Sequence, residues 1–467
     1  MGRTSPIFRL ANETLMQIFD HAVHLPAPPN IDFPPTSSVE DKPGIASHAT
    51  NPTTPVTLSH VCKHWRRLAR SISGLWATIF ITSDSNGVVK LLTDVWLSNS
   101  GSHLLGLTIV GALRSRKRPD FSKILAVLEQ ESHRWNSFTL DNHWGQWSCL
   151  PSSMAPATQL RSLSFNPGCR YEQQVNLQRF VIDSPALREV ELRDQDLVMH
   201  AAVVSGVIST RLTTLKLRIA MENHPEFFST LSLFQGLEVL EVKLNKFDGI
   251  DRTLQLFQHH FKDEIVYLPA LKRFTLIGAQ GLAHDRLLML LDHLEIPSLS
   301  DIAIRTAFPA GERAPAVFSA LDKMLQRSNA VLQCLSFFDE NNDFNLHPFL
   351  THPSLISLEE LEARSCQMNI LLECLKIESR DTPVDFVLLP KLRHIRLVLY
   401  DCSNNPCALS KLAKSRMGVN PLVAKIVSVE AKFSVRRQME MERRFWDRQP
   451  ELALVERRFY HGDSIVQ

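Results

Sequence analysis

Leu187-Arg188-Glu189-Val190-Glu191-Leu192, Leu212-Thr213-Thr214-Leu215-Lys216-Leu217 and Leu237-Glu238-Val239-Leu240-Glu241-Val242 are copies of one phrase, apolar-x-x-apolar-x-apolar. The end of each copy alternates with a period of two, as a strand does when one of its faces is buried. Earlier copies run from Leu104 to Ile109, Trp135 to Leu140 and Leu160 to Phe165. Later ones run from Leu271 to Leu276, Leu299 to Ile304, Leu332 to Phe337, Leu358 to Ala363 and Leu392 to Leu397. Most starts lie about 25 to 34 residues apart, a period typical of repeat architectures. Helical patterns fall between them, at Phe121 to Glu131, Ala201 to Ile208 and Asp285 to His293. One strand and one helix cannot bury their own apolar faces, so the units must stack strand beside strand, with helices behind a parallel sheet. Each buried Leu or Ile contributes about 1.5–3 kcal/mol, so three per strand build a continuous core from marginal units. The expected fold class is α/β, with a solenoid over residues 83–402 whose parallel sheet lines the concave face.

The first eighty residues read differently. Leu10, Leu15, Ile18, Phe19 and Val23 recur at helical intervals, with Asn12 as a candidate N-cap. Residues 25–56 then turn rich in Pro, Ser, Thr and Asn, including Pro28-Pro29 and Pro34-Pro35, which predicts a flexible insert. In it, Ser37, Ser38 and Thr54 ahead of Pro55 are candidate phosphorylation sites. A second helix is predicted where Leu58, Val61, Cys62, Trp65, Leu68 and Ala69 fall on one face, followed by Leu75-Trp76 and a strand from Thr78 to Ile81.

The opening Leu-x-x-Glu-x-Leu-x-x-Ile-Phe and the continuation Leu58-Ser59-x-Val61-Cys62-x-x-Trp65-Arg66, ending in Leu75-Trp76, resemble an F-box of the kind common in fungal proteins. Leu10-Ala11 stands where the family has Leu-Pro. Trp96-Leu97-Ser98-Asn99-Ser100-Gly101 resembles the linker that follows the F-box in fungal members, and the repeats resemble the leucine-rich repeats of substrate-receiving F-box proteins, without most of the asparagine ladder. The resemblance implies a small all-α bundle over residues 1–82 that docks on the Skp adaptor of a cullin-RING ubiquitin ligase. By motif position, Leu10, Leu15, Ile18, Phe19, Leu58, Val61, Cys62, Trp65 and Leu68 would form the bundle core and its docking surface. The repeats would hold a protein substrate for degradation, and no residue of the chain would need to perform bond chemistry.

If the leucine-type positions face inward, the residues between them face outward and form the candidate partner-binding surface. These are Glu189, Glu191 and Arg193, then Thr214, Lys216 and Arg218, Glu241 and Lys243, and Arg273 and Thr275. Ser336 and Phe338 follow, then Glu360, Glu362 and Arg364, and His394 and Arg396. This mixed-charge face suits a polypeptide. Trp135, Trp144 and Trp147 cluster early, with Trp135 at an inward position. Residues 403–467, with Arg436-Arg437 and Arg443-Arg444, read as a charged helical cap and tail.

Composition narrows the function. The 51 basic and 49 acidic side chains leave a net charge of +2, too little to draw in nucleic acid or an anionic membrane. No apolar stretch approaches the roughly 20 residues that span a bilayer, and Pro6 stands where myristoylation of Gly2 needs Ser or Thr. Eight scattered cysteines without a pairing rhythm predict reduced thiols, and a cytoplasmic or nuclear location. No cofactor and no metal is expected. His60 and His64 share the spacing of a zinc pair but lack the adjacent Glu and a third ligand, and Cys366/Cys374 and Cys402/Cys407 lack Cys-x-x-Cys spacing. Phosphate-binding loops and nucleophile elbows are absent from the sequence. Two other readings stay open: a repeat scaffold acting outside a ligase, and an enzyme hidden in the repeats.

Overall fold

The computed structural model describes residues 7, 10–24, 44–48, 54–111, 121–142, 156–167, 184–193, 211–219, 226–244, 265–278, 283–306, 313–339, 347–364, 368–377, 387–399, 407–417, 423–433 and 436–461. The chain divides into two compact units, residues 1–195 with 199–211, and residues 212–467 with 196–198. Both are mixed α/β. The expected helix at Ala201 to Ile208, and Trp144, Trp147, Ser37, Ser38, Cys366 and Cys402, lie outside the described residues.

In the first unit, α1 (Asn12–His24) buries Leu15, Phe19 and Val23 at four-residue intervals. A strand, β1 (Ile45–Ala46), follows within the segment expected to be a flexible insert. The next helical stretch breaks in two, α2 (Pro55–Val61) and α3 (Lys63–Ser71). Next come β2 (Thr78–Ile81), β3 (Leu105–Val110), β4 (Trp135–Asn142), β5 (Ser162–Pro167) and β6 (Glu189–Arg193). These five pair in sequence order and in parallel, while β1 pairs antiparallel with β2, Ile45 opposite Ile81. The all-α expectation for residues 1–82 is therefore corrected: three helices end in a sheet edge.

Two details anchor this unit. Gly101, at φ 54° and ψ −127°, ends the helical stretch before β3 in a conformation that favours glycine. Beside it, buried Arg134 donates to the His103 carbonyl (3.0 Å), Ser100 Oγ (2.8 Å) and Glu131 (2.9 Å). In β3 the inward residues are Leu105, Leu107 and Ile109, and Leu104 is exposed. The register slips between Leu105 and Gly106 against β4, which shifts the first apolar position of that copy by one residue.

The second unit contains β7 (Thr214–Ile219), β8 (Val239–Leu244), β9 (Val266–Tyr267), β10 (Arg273–Gly278), β11 (Leu294–Glu295), β12 (Asp301–Thr306), β13 (Cys334–Asp339), β14 (Glu360–Arg364), β15 (His394–Leu399), β16 (Ser428–Phe433) and β17 (Glu456–His461). Nine of them form a parallel sheet in the order β7-β8-β10-β12-β13-β14-β15-β16-β17, and β9 and β11 make a separate parallel pair. Helices cover the inward face. Phe318, from the helix Arg313–Ser328, meets Phe337 of β13 at 5.3 Å between ring centroids, and Trp446, from Arg436–Asp447, meets Phe459 of β17 at 5.7 Å.

One hydrogen-bond pattern recurs before the strands. The carbonyl of Glu238 accepts from the N–H groups of both Lys272 and Arg273, that of Lys272 from Ser300 and Asp301, that of Ser300 from Gln333 and Cys334, and that of Gln333 from Glu359 and Glu360, all within 2.8–3.0 Å. The leucine ahead of each pair, such as Leu271, Leu299, Leu332 or Leu358, is buried. Each of these four phrases thus buries three apolar side chains and fixes its register on the strand before it.

The pattern runs on past Cys402. β16 and β17 pair in parallel with β15 and with each other, which corrects the expectation of a purely helical cap over residues 403–467. Ile426, Val429 and Ala431 form a further copy of the phrase, all buried. In β17 the register puts Arg457 opposite Val429, and it pairs with Asp447 at 2.6 Å. Among the described residues β17 is the last strand in the sheet order, and a charged residue is tolerated there.

Candidate docking surfaces

The N-terminal motif residues separate into two groups. Leu15, Phe19, Leu58 and Leu68 are buried, and the Phe19 and Trp65 rings meet at 4.8 Å, joining α1 to α3. Leu10, Met16, Ile18 and Val61 remain exposed, Ile18 at 40% and Val61 at 56%. At 100° per residue, Met16 and Ile18 flank the buried stripe of α1 on either side. Sequence reading missed Met16, which lies off the motif positions.

The cause of the split is the break at Cys62, whose backbone is extended (φ −159°, ψ 172°). Its sulfur caps α3 by accepting from the Trp65 N–H at 3.4 Å, and Arg66 Nε donates to the Ser59 carbonyl at 2.9 Å across the elbow. The single apolar face expected from Leu58 to Ala69 is therefore corrected: the elbow buries Leu58 and Leu68 and turns Val61 outward. It also puts His60 and His64 on different helices, so the four-residue zinc spacing is lost. Thr54 is corrected too. It is buried, and its Oγ1 caps α2 by accepting from the Thr57 N–H at 3.1 Å, which leaves it poorly placed for a kinase.

In the second unit the register sorts the outward residues of the sheet into three rows. The first row reads Thr214, Val239, Arg273, Asp301, Cys334, Glu360, His394, Ser428 and Glu456. The second reads Lys216, Glu241, Thr275, Ala303, Ser336, Glu362, Arg396, Glu430 and Arg458. Arg396 reaches Glu430 at 3.2 Å and Glu362 at 3.6 Å, and Ser336 Oγ donates to Glu362 at 3.1 Å, so this row balances its own charge. The flanking carboxylates push the Arg396 pKa above its ordinary value, outweighing its partial desolvation. The third row is Arg218, Lys243, Ile277, Arg305, Phe338, Arg364, Val398, Lys432 and Tyr460. In the first unit, Ser164 Oγ donates to Glu191 at 3.1 Å, Glu189 lies in register with Ser162, and the side chain of Arg193 lies outside the described set.

Cys334, Ser336, Glu360, Glu362, His394, Arg396, Ser428 and Glu430 line a shallow depression of about 90 Å³ across rows one and two, below the roughly 300 Å³ of a small-molecule site. It contains a thiol, a carboxylate and an imidazole, the ingredients of nucleophilic catalysis. Their environment opposes it. Burial, reinforced by Asp301 and Glu360 on either side, pushes the Cys334 thiol up to about 12, so it stays protonated at neutral pH. The His394 ring is engaged through Nδ1 with Ser428 Oγ at 2.8 Å.

Elsewhere, Trp135 is fully buried, its indole N–H donating to the Leu128 carbonyl at 3.1 Å, so it belongs to the core. Among the described residues no group of three or more His, Cys, Asp or Glu side chains is arranged to hold a metal, and no helix is long and apolar enough to cross a membrane. No known protein-family model matches the chain, and comparison with curated proteins gives no match. The F-box resemblance therefore rests on the motif residues of the sequence alone.

Proposed function

We propose that the chain is a non-catalytic receptor of the F-box class, with two docking surfaces. The N-terminal helices bind a Skp-type adaptor, and through it a cullin scaffold. The outward sheet face binds a protein substrate and holds it near a ubiquitin-charged enzyme, so the chain contributes effective concentration in place of bond chemistry. The observation that carries this reading is the division of the motif residues: Leu15, Phe19, Leu58 and Leu68 close a core, while Ile18 and Val61 present apolar side chains to solvent. Exposed aliphatic anchors on a helical module are what helix-in-groove recognition uses. The protonated Cys334 and the small depression beside it support a binding face over a catalytic one.

The test is a pulldown on purified Skp-type adaptor with the full chain and with Ile18→Glu plus Val61→Glu. Both positions are exposed, so the variant should keep the wild-type circular dichroism and thermal unfolding. Retention of the wild type and loss of the folded variant are expected. A wild-type chain that does not bind, or a variant that binds equally, overturns the reading. Adaptor binding without any ubiquitylated partner would favour a scaffold outside a ligase.

A further inference from the structure

The third row of the sheet face carries five cations, Arg218, Lys243, Arg305, Arg364 and Lys432, and no carboxylate among its nine positions. The whole chain has a net charge of only +2, so this row concentrates more positive charge than the entire molecule nets. None of the nine residues is buried as a whole, although the Arg364 Nε atom is, and Arg364 and Lys432 each already engage another group. The ordering within the row is regular: from Lys243 onward, cations alternate with apolar or aromatic residues, Lys243-Ile277-Arg305-Phe338-Arg364-Val398-Lys432-Tyr460, one per strand. The Arg305 guanidinium lies 4.9 Å from the Phe338 ring centroid, a cation–π contact that helps hold its charge in line.

Spacing selects the ligand. Lys243, Arg305, Arg364 and Lys432 sit on every second strand, which puts consecutive cations about 9.6 Å apart at a strand separation of about 4.8 Å. An extended β-peptide repeats a side-chain direction every two residues, about 6.7 Å, and an α-helical turn advances about 5.4 Å. Neither keeps step. A polyproline II chain repeats every three residues, at about 9.3 Å, and does. The second row, with Glu241, Glu362 and Glu430, lies about 6.7 Å away along the strands. A broad phosphate backbone such as duplex DNA would overlie those carboxylates, whereas one polypeptide fits the single basic row.

We propose that the third row is a binding track for an acidic polypeptide in polyproline II conformation, with anionic side chains at every third residue on the cations and the residues between them against Ile277, Phe338 and Val398. It rests on the reading of the sheet face as a polypeptide receptor and is independent of adaptor docking.

The probes are 12-residue fluorescent peptides: Pro-rich with Glu at every third position, the same with phosphoserine in place of Glu, and a peptide of equal charge with Glu at every second position. A single-stranded oligonucleotide of equal charge is the fourth. Binding to the full chain is measured by anisotropy, alongside Lys243→Ala plus Arg305→Ala and a control, Lys272→Ala, outside the row. The every-third peptide should bind about tenfold tighter than the every-second peptide, and the double variant should lose about tenfold while the control does not. Tighter binding by the phosphoserine peptide assigns the anion to phosphate, equal binding to either source, and both support the track. Equal affinity for the two spacings overturns the track and leaves the receptor reading standing. No peptide binding overturns both but not adaptor docking, and preference for the oligonucleotide overturns the track in favour of nucleic acid.

Discussion

At the scale of single residues, environment changes what the sequence pattern suggests. Cys334 sits in register between Asp301 and Glu360, and its thiol is raised to about 12 from an ordinary 9.0. At pH 8 the thiolate fraction then falls on the order of a thousandfold, and alkylation slows in proportion. Site-resolved mass spectrometry after iodoacetamide treatment at pH 8 should find Cys334 unlabelled long after a free cysteine peptide has reacted, and Asp301→Asn should speed its labelling. Rapid labelling of wild-type Cys334 would contradict this picture. Cys62 teaches the complementary lesson. Its spacing to Leu58 and Trp65 suits an unbroken helix, and nothing local in the sequence announces that its sulfur caps the next one. Buried Arg416 donates to the carbonyls of Leu375 (3.1 Å), Leu389 (2.8 Å) and Leu388 (2.5 Å). Desolvation lowers its pKa to about 10, still charged at neutral pH, and its partners lie too far away in sequence to be anticipated.

At the scale of elements, neighbouring repeats are joined by side chains as well as strands. Glu442, on the helix Arg436–Asp447, is buried and caps the helix Ala408–Ser415, accepting from the Leu409 N–H at 3.0 Å, the Ser410 N–H at 3.3 Å and Ser410 Oγ. Burial raises its pKa above 4.5 against the lowering effect of those bonds. A carboxyl with a raised folded pKa binds more protons folded than unfolded. Its stabilising contribution is therefore present below the ordinary carboxylate range and is lost as pH rises through the folded pKa. Urea unfolding from about pH 4 to 7 should show Glu442→Gln lacking that part of the decline seen in wild type; an identical pH profile would contradict the assignment. The strands were legible because alternation needs only local residues: the copies from Leu104 to Leu397 each overlap an observed strand. The last two were hidden because the charge around Arg436-Arg437 and Arg443-Arg444 reads as helix. That helix exists, but Ser428–Phe433 and Glu456–His461 flank it as strands.

At the scale of the molecule, function depends on which residues the register places side by side. The outward positions could be named from the phrase alone, and they read as mixed charge. Pairing sorts them into a self-neutralising row around Arg396 and a basic row with apolar spacers, an order spread over residues 218–460 that no sequence window contains. The N-terminal surface was half legible: the motif named its residues, but only the elbow at Cys62 decides that Val61 faces solvent and Leu58 does not. The two proposed surfaces would together make a bridging receptor, and bridging can be measured directly. Analytical ultracentrifugation of the full chain with a Skp-type adaptor and the labelled every-third acidic peptide should give one sedimenting complex containing all three. Ile18→Glu plus Val61→Glu should lose only the adaptor, and Lys243→Ala plus Arg305→Ala only the peptide. An adaptor that stays behind with the wild-type chain, or one that displaces the peptide, would contradict the account.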